Sequence, residues 1–322
     1  MEVFFYEAFE EEAEALRRHL NPEIRAGYTW KTIQESGDDQ PPAPVVSIRT
    51  QSILPDAWAP LLNAVLSRST GYEHLLAYRE RTHCNVDCGH LPRYCHRAVA
   101  EQTMLLWMAL LRKLTQQREN FARFYRDGLT GIEAEGKTLV VVGVGNIGTE
   151  VCAIGAGLGM HVIGVDIVQN KPDIHYQPLD RALPQADIIV ATMNLTKHNR
   201  GYFDYDVLRR AKRGAVFVNV SRGEFSPPSV LLRLLQERHL GGVALDVYDQ
   251  EAKLAHALRS GEPSDEPEVV AALALTAMEN TILTPHNAFN TQEGVERKAA
   301  HSAQQLQHYL KARRFLWPIP SE

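Results

Sequence analysis

One segment limits this chain more than any other. The apolar run KTLVVVGVG leads into Gly143-Val144-Gly145-Asn146-Ile147-Gly148, a helical stretch follows, and a second run, HVIGVD, ends on Asp166. Strand, glycine turn, helix, strand and terminal acid, in that order, are the fingerprint of a dinucleotide-binding βαβ unit. Gly143 permits the tight turn, Gly145 lets the backbone approach a pyrophosphate, and Gly148 lets helix and strand pack. The helix start, at Asn146 and Ile147, then offers its free N–H groups to the anion. Asp166 is expected to accept from the adenosine ribose hydroxyls. Its charge, with no arginine beside it at Ile167 or Val168, favours NAD over NADP.

The rest of the chain agrees with such a unit. From Gly136 onward ADIIVATM, GAVFVNV, GGVALDV and NTILTPH alternate with helical stretches, which predicts a parallel, doubly wound sheet. Upstream, VFFYEAF, a charged helix, PVVSIRT, AVLSRSTGYEHL with a turn around Gly71, and an extended HCNVDCGHLPRYC broken by Pro92 read as a small α/β domain. Between them Ala98 to Leu114 is apolar nearly all round and predicts one buried helix. After Ala288 the terminal helix EGVERKAAHSAQQLQHYLKARRF follows the last strand and is expected to return to the first domain.

Composition narrows the function classes. At 322 residues, 44% hydrophobic and 23% charged, the chain is long enough for two globular domains. A net charge of -5 provides no basic field for nucleic acid or an anionic membrane. The start, MEVFFYEAFEEEAEALRRHL, turns acidic at once, unlike a secretory signal, and no apolar run approaches the ~20 residues that cross a bilayer. A cytoplasmic protein is expected, its 4 cysteines reduced. His83, Cys84, Cys88, His90, Cys95 and His96 crowd one segment, but no second well-spaced ligand pair accompanies them, so no metal is expected. His301 and His308 share a helix face, read as solvated.

Three further segments fall at predicted strand ends: NVSRGE with Arg222, ALDVYDQE with Asp246 and Glu251, and TPHNAF with His286. Ligands of doubly wound sheets bind at the carboxyl ends of strands. Together with VGVGNIGTEV, SRSTGYEH and LPRYCHRAVAE, these segments resemble the D-isomer-specific 2-hydroxyacid dehydrogenases, from about residue 45 to residue 300, nearest the D-lactate dehydrogenase-like branch. The resemblance implies an α/β fold in which a Rossmann NAD domain, residues 96–289, is inserted in a smaller flavodoxin-like substrate domain, residues 1–95, with 290–322 returning to it. It also implies hydride transfer between nicotinamide and a small D-2-hydroxy or 2-keto acid.

By motif, His286 becomes the acid/base, Glu251 the carboxylate that orients it and favours imidazolium, and Arg222 the cation that binds and polarises the substrate. Ser69-Thr70-Gly71 matches a loop whose N–H groups bind the substrate carboxylate, and Tyr94 a tyrosine near the cleft. Asp246 is expected at the carboxamide, Val220, Ser221, Asn194, Leu195 and Thr196 along the cofactor, and Thr103 near its phosphates. The chain departs from the family pattern at Pro92-Arg93-Tyr94-Cys95-His96, at Asn194-Leu195-Thr196, and in a long connection before His286. Aromatic Tyr72, Tyr94 and Phe289 point to a monocarboxylic 2-keto acid, against Arg49, which would suit a second anionic group. A dehydrogenase of a phosphorylated hydroxy acid and an NAD-binding regulatory protein of the same fold are the competing readings. The apolar 98–114 helix and the family resemblance together predict a homodimer.

Overall fold

The computed structural model describes residues 1–320. The chain forms two compact units, Met1–Cys95 joined by the segment from Asn290 onward, and His96–Phe289.

The first unit runs β1 (Val3–Phe5), α1 (Glu10–His19), β2 (Ala26–Tyr28), α2 (Ile33–Ser36), β3 (Val45–Ile48), β4 (Ala64–Ser67), α3 (Glu73–Thr82) and β5 (Asp87–Gly89). Its strands are all parallel in the order β2-β1-β3-β4-β5, a doubly wound arrangement. Every residue of β3 and β4 is buried, as central parallel strands covered on both faces require. Helix α1 opens on Glu10, Glu11 and Glu12 and closes on Arg17, Arg18 and His19, the charge order its dipole favours. Of the extended HCNVDCGHLPRYC segment only Asp87–Gly89 pairs as a strand. The segment 26–36 holds β2 and a helical turn fixed by a Thr32–Glu35 capping box.

The second unit begins with α4 (His96–Leu111) and α5 (Leu114–Asn120). The helix expected from Ala98 to Leu114 is α4, which stops at Leu111 because Lys113 takes a left-handed φ of 52° and ends the hydrogen-bond ladder; α5 then starts at Leu114. Nor is α4 covered all round, for Leu105 is half exposed. There follow β6 (Thr138–Val142), α6 (Asn146–Gly157), β7 (His161–Val165), α7 (Leu179–Ala182), β8 (Ile188–Ala191), α8 (Tyr205–Leu208), β9 (Ala215–Asn219), α9 (Pro228–Gln236), β10 (Leu240–Leu245), α10 (Glu251–Ser260), α11 (Pro267–Leu275) and β11 (Thr281–Leu283). Six parallel strands order as β11-β10-β9-β8-β6-β7 over a core that includes Val140, Ile189, Phe217 and Leu245.

The chain then returns to the first unit through α12 (Gln292–Ala312), which packs on α1 and β4. Its fully buried Gln305 accepts the N–H groups of Leu316 and Trp317 and donates to His90 O, so the tail is stitched beside β5. The reading of His301 as solvated is corrected here. Its ring is half-buried, 5.2 Å from that of Trp317, and burial lowers its pKa. No helix among the described residues is long and apolar enough to cross a membrane.

Candidate active site

The glycine turn sits between β6 and α6. Gly143 has φ 98°, and a Cβ there would meet Met193 N at 2.6 Å; a Cβ on Gly148 would overlap Gly143 O. Protein geometry thus accounts for both glycines. Gly145 differs. A Cβ added to it would meet nothing within 4 Å, so the surrounding protein does not explain the missing side chain, whereas a pyrophosphate approaching the start of α6 would. Asn146 is exposed and Ile147 half-buried at that helix start. Asp166, just past β7, accepts from Val144 N at 2.5 Å and Val168 N at 2.8 Å, tying the glycine turn to the neighbouring strand end. Ile167 beside it is fully exposed. This donor and acceptor set fits a dinucleotide.

Register builds the second part of the site. Leu245 pairs with Asn219 on one side and Leu283 on the other, so β9, β10 and β11 end level and their loops emerge side by side. His286 and Glu251 meet there, Nδ1 to Oε1 at 2.7 Å, each side chain 22% exposed. With Nδ1 engaged by Glu251, Nε2 is the nitrogen left for proton transfer. Glu251 opens α10 behind a left-handed Gln250, and His286 itself has φ 50°. A non-glycine residue held in that conformation costs free energy that the surrounding loop must offset.

The loop is held by Asp246, which is 1% exposed. Its carboxylate accepts from Thr284 Oγ1 at 2.5 Å, Asn287 N at 2.9 Å and Ala288 N at 2.8 Å. Burial pushes its carboxyl up, and these three donors pull it back. Asp246 offers almost no surface in this structure and holds the histidine loop. Thr103 is fully buried in α4 with its hydroxyl donating to Val99 O at 2.6 Å. Val220 and Ser221 are buried beyond β9, and Asn194 and Thr196 exposed beyond β8, bridged by the Asn199 amide.

Arg222 is half-buried, one guanidinium nitrogen donating to Ser221 O at 2.8 Å. Sequence reasoning missed the residues that set its loop. Asn219 donates to Arg222 O and Ser226 Oγ and accepts from Ser221. Gly223 lies so close to the Tyr248 carbonyl that no side chain fits. The Tyr248 hydroxyl donates to Thr284 O at 2.8 Å, joining the β10 and β11 loops. Polar residues inside NVSRGE and DVYDQE were the available signal.

In the first unit the turn after β4 is fixed through its carbonyls. Leu91 N donates to Ser69 O, His90 Nδ1 lies 3.0 Å from Thr70 O, and Ser69 Oγ donates to Gly71 O. The N–H groups of Thr70 and Gly71 donate to no acceptor among the described residues. Burial lowers the His90 pKa, against the opposing effect of the hydrogen bond to Thr70 O. Tyr94 is buried, and its backbone carbonyl accepts from Arg297. Of the crowded Cys and His residues, Cys88 is buried in β5, and burial pushes its thiol up to about 12. No group of three or more metal-ligating side chains gathers among the described residues.

Residues 104–288 match the family described as D-isomer specific 2-hydroxyacid dehydrogenase, NAD binding domain. The chain is 30% identical over 266 residues to D-lactate dehydrogenase kk1H of Curvularia clavata, covering 81% of this chain and 75% of that one. It is also 30% identical over 230 residues to an aromatic 2-oxoacid reductase of Clostridium sporogenes, covering 70% and 69%. A D-lactate dehydrogenase from Aquifex aeolicus, solved with NAD and lactic acid, superposes with a TM-score of 0.84 over 99% of this chain and 100% of its own at 23% identity, and shares the fold.

Proposed function

The chain belongs to the D-isomer-specific 2-hydroxyacid dehydrogenases, NAD-dependent enzymes, and from that premise we propose that it interconverts a short monocarboxylic 2-keto acid and its D-2-hydroxy acid, with His286, Glu251 and Arg222 as the reacting set. The His286–Glu251 contact of 2.7 Å, on loops in register with that of Arg222, carries this reading.

NAD, when bound, supplies or accepts the hydride; the glycine turn, the start of α6 and Asp166 would hold it. The protein's own contribution is acid–base and electrostatic. In reduction, His286 Nε2–H gives its proton to the carbonyl oxygen, and the carboxylate of Glu251 stabilises the imidazolium before transfer. In oxidation the neutral Nε2 takes the hydroxyl proton. Arg222 binds the substrate carboxylate and faces the negative charge that develops on the carbonyl oxygen. Within the first unit, the open N–H groups of Thr70 and Gly71 are donors suited to a carboxylate.

The names of the curated relatives, D-lactate and aromatic 2-oxoacid, support a monocarboxylic substrate. Arg49 also supports it: its guanidinium lies 5.5 Å from the Phe9 ring and its charge acts on Glu12, which ties it into the first unit. We further propose a homodimer, with the surface of α4, α5 and the segment after them as its interface. Leu105, Leu114, Phe121, Phe124, Tyr125 and Ile132 are each more than half exposed there, a patch larger than isolated surface apolar residues make. The test is NADH consumption with pyruvate, 2-ketobutyrate, phenylpyruvate, oxaloacetate and 3-phosphohydroxypyruvate. A monocarboxylic acid should lead; a doubly anionic one ahead by about tenfold would reverse the substrate assignment.

A further inference from the structure

The mechanism leaves one group of ionised side chains unused. Glu12, Arg68 and Lys298 are 3%, 0% and 1% exposed. Glu12 Oε1 accepts from Arg68 Nε at 2.7 Å and its Oε2 accepts from Lys298 Nζ at 2.7 Å. Arg68 also donates to Ser47 Oγ at 3.0 Å and Tyr6 O at 2.5 Å. Two cations on one carboxylate leave a surplus positive charge. Arg49, whose charge acts on Glu12 and Lys298, adds another; Glu7, whose carboxylate accepts from the N–H groups of Arg49, Gln51 and Ser52, removes it again.

Burying a charge costs far more than burying an apolar side chain of the same size, so a cluster needed only for packing has no reason to carry a surplus. The position of the surplus is specific. The pairing of Ile48 with Ser67 brings Arg49 and Arg68 out together at the ends of β3 and β4, and Arg68 is the residue before Ser69. The cluster therefore roots the turn whose Thr70 and Gly71 N–H groups stay open. In a dry interior its field is weakly screened.

We propose that Glu12, Arg68 and Lys298 form a built-in countercharge for that turn, positioning it and drawing the carboxylate of a 2-keto acid onto its N–H groups. The proposal rests on the dehydrogenase reading above. Lys298 is the removable member. Without it the Arg68–Glu12 pair stays balanced, so the fold loses less than it would on losing Arg68 or Glu12 alone. Lys298 also titrates in an accessible range: burial lowers its ammonium to about 8 although Glu12 opposes this, and Arg49 and Arg68 push the same way as burial. Among the groups that face it are Glu12 from α1, Arg49 beyond β3, Arg68 beyond β4, and Tyr94 beyond β5, whose ring centre is 6.0 Å away.

The test is steady-state kinetics of the full chain with its best 2-keto acid and saturating NADH. Lys298→Met should raise KM about tenfold, ~1.4 kcal/mol, with kcat within about threefold. Lys298→Arg, which keeps the charge, should resemble the parent. The double variant Glu12→Gln with Lys298→Met restores the surplus through Arg68 and should recover much of the lost affinity. In the parent, KM should climb as pH passes 8, and the climb should vanish in Lys298→Arg, which retains His286 unchanged. A folded Lys298→Met with parental KM, equal losses in the Met and Arg variants, or a double variant no better than the single overturns the countercharge. Should Lys298→Met fail to fold, identical KM–pH curves for parent and Lys298→Arg overturn it. A parent that reduces no 2-keto acid takes down the dehydrogenase reading and this one with it, whereas active variants with a flat KM remove only the countercharge.

Discussion

The carboxyl-terminal edges of the two sheets handle charge in opposite ways. Beyond β10 and β11, Glu251 and His286 each keep 22% of their side-chain surface. Beyond β4, Arg68 keeps none, its partner Glu12 keeps 3%, and Lys298, the second cation on Glu12, keeps 1%. A group that exchanges protons with a small molecule must be reachable, and it needs a neighbour that stabilises its charged form without trapping the proton. A group that acts only through its field is most effective where water is absent. The two edges also differ in what they leave open. The second unit offers side chains on strained loops, the first offers backbone N–H groups on a turn whose carbonyls are all taken.

The largest effect that would break this comparison is at His286. His286→Ala should lower kcat by at least ~10²-fold, with NADH affinity little changed. Turnover near the parental rate between pH 6 and 8 would place the proton elsewhere and make the exposed pair no more catalytic than the buried cluster.

Glu251→Gln should lower kcat about tenfold at pH 7. The variant loses the carboxylate that holds His286 Nδ1 at 2.7 Å and so fixes the direction of Nε2. A parental kcat in Glu251→Gln would show that the contact does not serve the reaction.

The buried side can be sharpened through stability. Burial alone would raise the Glu12 carboxyl, but Lys298, Arg68 and Arg49 outweigh it and hold it at about 2. A carboxyl depressed on folding contributes stability that is complete above its unfolded value, near 4.5, and is lost as pH falls toward 2. Thermal midpoints should therefore decline through that window and be less pH-sensitive in the Glu12→Gln, Lys298→Met double variant. Parallel curves for the two proteins would show that the cluster does not govern acid stability.

The smallest effect concerns cofactor choice. Asp166→Ala should narrow the preference for NADH over NADPH by a few-fold, ~1 kcal/mol, as the repulsion of a 2′-phosphate is removed. Because Asp166 also accepts from Val144 N, some loss with both cofactors is expected. Equal use of both by the parent would refute the preference itself.

Much of the second unit was legible because its constraints are local. A glycine turn between an apolar strand and a helix is specified within a few residues, by the φ of Gly143 and the contact at Gly148. Alternating apolar runs gave the strands, since parallel strands covered on both faces must be apolar throughout. Local pattern failed where one residue's backbone decided the outcome. Lys113, an ordinary helix former, takes the left-handed conformation and ends α4 at Leu111, short of the expected Leu114. Nor does residue type announce burial, for Thr103 and Asp246 are polar and yet 0% and 1% exposed.

What the sequence determined by itself is the order of elements, the dinucleotide turn and the family to which Arg222, Glu251 and His286 belong as motif residues. Each depends on neighbours in the chain, and short-range sterics and hydrophobic period are written there. Tertiary structure brings distant charges together. The resemblance named Glu251 and His286, 35 positions apart, as partners, whereas nothing in the chain marked Glu12 and Lys298, 286 apart; both pairs close to 2.7 Å. Contacts of that kind are products of strand register and helix return, and no local pattern in the chain encodes them. Desolvation follows the same rule, because water is excluded by the whole fold around a residue, and that exclusion is what separates the reachable histidine from the buried lysine.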